Sequence, residues 1–174
     1  MPRIMSKTSI KRDAESYSDT KQRMLNFLSS TQVGVLSTVT PDGDPHGAVI
    51  YFSIDRQFVV SILTKKETRK YDNLVHHNHA MLTVFDVETQ TTVQVTGIAT
   101  EITDSDFVNS ALEMDMLASM NTIYSRMPAI EKLEAGKYVA FKIKPVQVRM
   151  AVYARPDPGE YTELFETVEG SELS

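Results

Sequence analysis

A chain of 174 residues with a formal net charge of −5 and no cysteine favours one domain and excludes thiol nucleophiles, disulfide redox chemistry and cysteine-ligated metals. The absence of cysteine suits a reducing cytosol, so a cytoplasmic protein is expected. No run of about 18 apolar residues occurs, so no spanning helix is expected. The net acidity argues against a general nucleic-acid binder, whose affinity comes from neutralising phosphates.

Residues 1–18 are polar and aperiodic and read as a flexible arm. They lack the apolar core of a secretory signal. Asp19 reads as an N-cap with Gln22 as its capping-box partner, and Met24, Leu25, Phe27 and Leu28 give residues 20–30 one apolar helical face. Residues 33–40 are rich in β-branched side chains. The run Thr40-Pro41-Asp42-Gly43-Asp44 is a turn, with proline pre-setting φ and glycine accepting φ > 0. A strand over 47–54 completes a hairpin. Asp55-Arg56-Gln57 makes another tight connection, and 58–63 is a third strand. Apolar residues on both faces of these strands point to a small barrel or a sheet covered on both sides.

Residues 67–77 read as a helix with Tyr71, Leu74 and Val75 inward. Strands over 80–87 and 91–102 follow, joined at Glu88-Thr89-Gln90. Phe107, Ala111, Leu112, Leu117, Met120, Ile123, Tyr124 and Met127 follow helical spacing in a longer helix that opens at Asp104 or Ser105 and stops at Pro128. Strands over 138–144 and 146–153 are separated by Pro145. Residues 155–174 form an acidic tail in which Tyr161, Leu164 and Phe165 offer docking groups. The expected domain is therefore 19–154. Its short links imply a mostly antiparallel sheet, mainly β with helices (α+β), closed into a barrel with helices at its ends.

Chemistry concentrates where the third strand empties into a helix. Thr64, Thr68, Arg69 and Lys70 bring together hydroxyls, a guanidinium, an ammonium and a helix N-terminus, which is how a phosphate is held. The alternative is a solvated basic helix start, although cations at that end oppose the macrodipole. His76 and His79 share a helical spacing, but no carboxylate or cysteine completes a metal set, so no metal is expected. His46 reads as a strand-edge residue. Met114, Met116, Met120 and Met127 read as packing. No GxSxG, HExxH or GxGxxG pattern is present. No catalytic side chain is assigned, and any redox or group-transfer step would belong to a cofactor.

Three stretches resemble the pyridoxamine 5′-phosphate oxidase-like family of FMN-binding split barrels, over about residues 20–153. They are Gly34 to His46, the Thr64-x-x-x-Thr68-Arg69-Lys70 corner with Asn73, Leu74 and Asn78 beyond it, and Val93-Gln94-Val95-Thr96-Gly97-Ile98-Ala99. The resemblance implies a Greek-key split β-barrel of six to seven strands and a homodimer with FMN in the groove between protomers. It implies that Thr64, Thr68, Arg69 and Lys70 hold the FMN phosphate, and that Val49, Ile50 and Leu63 lie along the isoalloxazine, partly through backbone groups. It also implies that Thr92 reaches a flavin from the partner subunit. Ala48 and Ser53 stand where the oxidase carries an arginine and a lysine, and its C-terminal Arg-x-His is absent. The likeness is therefore to the general-stress-protein-like branch, an oxidoreductase acting on a small molecule. The same fold also accommodates the deazaflavin F420, for which Lys65 and Lys66 would be recruited, or haem, or a non-catalytic ligand-binding dimer.

Overall fold

The computed structural model describes residues 14–103, 138–154 and 165–170. The elements are α1 (Ala14–Ser30), β1 (Val33–Val39), β2 (Pro45–Ile54), β3 (Val60–Lys65), α2 (Arg69–His76), β4 (His79–Asp86), β5 (Thr91–Ile102), β6 (Tyr138–Val152) and β7 (Phe165–Glu169). Hydrogen-bonded neighbours run β3-β2-β1-β4-β5-β6-β7, and β3 also pairs with β6. Every pairing is antiparallel. Six strands thus close into a ring and β7 lies outside it, the split-barrel arrangement expected from the sequence.

Period-2 alternation builds the interior. Leu36, Ile50, Phe52, Leu82, Val93 and Val148 are among the side chains that fill it. Outward-facing Val33, Val35 and Val49 stay exposed on the same strands. Along α1, Thr20, Met24 and Leu28 are buried. Their spacing of four places them in one helical row that closes one end of the barrel.

Five details differ from the sequence reading. Asp19 lies inside α1, which extends back to Ala14. Nothing in 14–19 breaks a helix, so a residue suited to capping is carried through. The third strand starts at Val60 rather than 58, because Phe58 has φ 59°. Asp55 Oδ1 accepts from the N–H groups of Gln57 and Val59, each at 2.9 Å. Burial of the Phe58 ring, 2% exposed, offsets the cost of a left-handed aromatic residue. Helix α2 is shorter at both ends than 67–77, and Val75 is exposed rather than inward.

Residues 138–152 form one strand, not two. Pro145 sits opposite Gly97 where the β5–β6 register shifts. A bulge is where a strand tolerates a missing N–H. Finally, the segment read as an acidic tail contributes β7, paired to the second half of β6. Its Glu166 carboxylate is taken up by α1. Thr20 Oγ1 donates to it at 2.7 Å and Arg23 at 3.3 Å. The helix expected over 104–127, with its methionines and Pro128, lies outside the described residues. Among the described residues no helix is long and apolar enough to cross a membrane.

Candidate functional site

β3 ends at Lys65 and α2 begins at Arg69, so the corner is a short turn with Thr68 at its helix-starting position. Thr68 is extended, at φ −94° and ψ 145°, and makes no side-chain cap. Its hydroxyl instead donates to the Lys65 carbonyl at 2.8 Å. With that proton committed, Thr64 Oγ1 donates to Thr68 Oγ1 at 2.7 Å. Thr64 is 1% exposed. Its hydroxyl therefore braces Thr68 and does not face a groove. The first N–H groups of α2 have no side-chain cap and remain an electropositive terminus.

The cations of the corner divide into two kinds. Lys65 is 3% exposed with its ammonium 5.0 Å from the Tyr138 ring centroid. Lys66 lies 3.7 Å from the Glu101 carboxylate, which also accepts from the Tyr71 hydroxyl at 3.4 Å. Both are engaged by the fold. Arg69 is exposed and Lys70 half-buried, and neither pairs with a carboxylate among the described residues. Desolvation holds the Lys70 ammonium below its ordinary lysine pKa. A half-buried cation of this kind gains from an anion placed beside it.

Behind the corner lies a polar chain that sequence reasoning named only in passing. Asn73 is fully buried on α2, and its Nδ2 donates to Thr38 Oγ1 on β1 at 2.9 Å. Thr38 in turn lies 3.4 Å from the His46 carbonyl oxygen. Asn73 Oδ1 has no partner. The signal was a buried-period asparagine three residues past Lys70, on the face that Leu74 also uses. His76 Nδ1 sits 2.9 Å from the Asp72 carbonyl oxygen, an ordinary helix-end contact. Among the described residues no group of three or more metal-type ligands converges.

The other residues expected at a cofactor are spread around the barrel. Leu63 is buried on β3, paired with Ala140. Val49 points outward and is 72% exposed, while Ile50 points into the core. Only the backbone of Ile50 could meet a ligand. Thr92 is half-buried on β5 and pairs with Phe85 and Ala151. The corner's Thr64 pairs with Val139 at the other end of β6. One protomer therefore keeps Thr92 far from its own corner.

Residues 20–151 match the family model described as Pyridoxamine 5'-phosphate oxidase. No curated protein sequence matches the chain. Solved structures that share its fold include the following three. A protein related to general stress protein 26, of the pyridoxinephosphate oxidase family, from Clostridium acetobutylicum is 12% identical with TM-score 0.62, covering 93% of this chain and 100% of that one. A pyridoxamine 5′-phosphate oxidase-related, FMN-binding protein from Nostoc punctiforme is 13% identical with TM-score 0.52, covering 95% and 98%. A heme-binding protein from Mycobacterium smegmatis is 17% identical with TM-score 0.58, and the match spans 88% of this chain but 58% of that longer one.

Proposed function

The chain belongs to the pyridoxamine 5′-phosphate oxidase family, and from that premise we propose that it is an FMN-binding oxidoreductase that works as a homodimer on a small-molecule substrate. The observation that carries this reading is the α2 terminus. A helix start without a side-chain cap, exposed Arg69 and half-buried Lys70 adjoin in the chain, and neither cation forms an ion pair among the described residues, although Asp72 stands in the same first turn. That set fits a phosphate monoester. Thr64 and Thr68 shape the turn, and Arg69, Lys70 and the first N–H groups of α2 make the contact. FMN held there supplies the hydride or electron transfer, for which the described residues offer no redox group of their own.

A second copy is supported by the outer face of β2, β1 and β4. Val33, Val35, Val49, Tyr51, Thr83 and Phe85 lie outward in adjoining registers. They form an uncharged patch of the kind buried in protein interfaces. Thr92 flanks this patch beside Phe85, at the position for which the family resemblance implies a reach to the partner's flavin. A longer anionic cofactor such as F420 is less well served, because Lys65 and Lys66 are already engaged by Tyr138 and Glu101.

Quenching of FMN fluorescence by the purified protein, titrated beside F420 and haem, tests the reading. Saturable quenching with FMN preferred is expected. A protein that leaves FMN fluorescence unchanged and takes haem or F420 instead would overturn it.

A further inference from the structure

The outward side of β6 carries Lys142 and Lys144, both exposed, and near its C-terminal end Arg149. Arg149 is half-buried. It stands between Gln94 on β5 and Thr167 on β7, two residues from the Ala151 that pairs with Thr92. Its guanidinium carbon lies 4.3 Å from the centroid of the Phe165 ring. Stacking on an aromatic face fixes the plane of a guanidinium and leaves its N–H edge free to donate. Among the described residues Arg149 pairs with no carboxylate. Glu169, the outward acid on β7, accepts from Gln147 Nε2 at 2.9 Å.

Arg149 and the chain's own corner lie at opposite ends of β6. Arg149 lies ten residues along β6 from Val139, the partner of Thr64, a path of roughly 33 Å at the usual strand rise. It is instead a close neighbour of Thr92 on the sheet's outer face. Phe165, the ring beside it, comes from β7, which lies outside the closed barrel.

We propose that Arg149, placed over the Phe165 ring, is a specificity residue that receives the oxyanion group, carboxylate or phosphate, of the small-molecule substrate at the flavin bound by the partner protomer. This rests on the dimeric FMN reading above. It adds a substrate class to it, since a planar donor fork is matched to a two-oxygen anion. The competing account is that Arg149 only pins β7 to β6.

FMN-loaded protein titrated with benzoate, phenyl phosphate and the neutral isostere benzamide, read by the absorbance of the bound flavin, separates these accounts. The unaltered protein is expected to respond to benzoate or phenyl phosphate and not to benzamide, and whichever anion binds more tightly identifies the favoured group. Arg149→Gln should weaken that response by about tenfold or more while changing the FMN dissociation constant by less than about twofold. Phe165→Leu, which keeps the strand apolar, should weaken it by about threefold. Arg149→Lys keeps the charge but loses the fork, and carries the test if the glutamine variant does not fold. Equal responses from the arginine variants and the unaltered protein, or an equal response to benzamide, would overturn the proposal while leaving FMN binding intact. Failure of the unaltered protein to bind FMN would overturn the flavin reading, and this one with it.

Discussion

The two ends of β6 make different surfaces from one strand. At residues 138–143 it pairs with β3 and supports the Thr64–Lys70 corner. There the polar groups are largely satisfied from within: Thr64 on Thr68, Thr68 on Lys65, Lys66 on Glu101. Arg69, Lys70 and the α2 terminus look outward, with exposed Glu67 and Asp72 beside them. At residues 147–151 it pairs with β7, and the outer face carries Thr92, Gln94 and one aromatic-stacked arginine next to an uncharged apolar field. The first end is the proposed anion cradle. The second is an open face with one ring-engaged cation. Their separation teaches that one strand can underlie two surfaces of unlike chemistry, which in the proposed dimer would serve the sites of different protomers.

The comparison breaks most severely at the bulge that divides the two ends. A Cβ on Gly97 would stand 2.3 Å from the Lys144 carbonyl oxygen, and backbone cannot yield cheaply. Gly97→Val should cost about 4 kcal/mol or more, read as a shift in the urea unfolding midpoint. Removing the cradle's cations comes next. The Arg69→Ala, Lys70→Ala double change should weaken FMN binding by about 2–4 kcal/mol without changing the unfolding midpoint, and unchanged affinity would take both residues out of the site.

A charge in the apolar field tests the other end. Val49→Asp should weaken self-association by about 2 kcal/mol or more, seen by sedimentation as monomer, with FMN affinity falling in parallel. If FMN binding survives in the monomer, the second protomer adds nothing to the cradle. Glu166→Gln, which leaves Thr20 and Arg23 a weaker acceptor, should cost about 1 kcal/mol of stability and leave FMN binding alone.

The smallest effect is the pH profile of the cradle. A bound anion favours charged Lys70, so its pKa in the complex lies above that in the free protein, where burial lowers it. Affinity is therefore full below the free-protein value and declines as pH rises through it. The loss should begin on the acid side of the ordinary lysine range and vanish in Lys70→Arg.

The hairpin of β1 and β2 was legible because its turn chemistry is local. Gly43 does adopt φ 93°, and Pro41 precedes it. The corner was legible for the same reason, since strand formers run straight into a polar helix start. What stayed hidden depends on distant partners. Pro145 reads as a break until Gly97 is placed opposite it. Residues 165–169 read as solvated tail until Thr20 and Arg23 arrive to take Glu166. Asp19 is a good cap in isolation, but the preceding residues continue the helix. The bonds of the two threonines were also not readable. Their types signal phosphate contact, and the fold in addition sets the Thr68 hydroxyl on the Lys65 carbonyl and buries Thr64 against Thr68.

Closure of the ring through β3 and β6 also constrains how the chain reaches its native state. Residues 60–65 must find residues 138–143, and the Thr20–Glu166 contact joins groups 146 positions apart. Contacts so remote in sequence make for slow folding. During synthesis, β1 and β2 can pair as soon as they emerge, but the ring stays open until β6 is made, and α1 waits longer still for β7. The nascent chain therefore carries the exposed edge of β3 from its synthesis until β6 is made, which makes that edge a segment for a chaperone to protect.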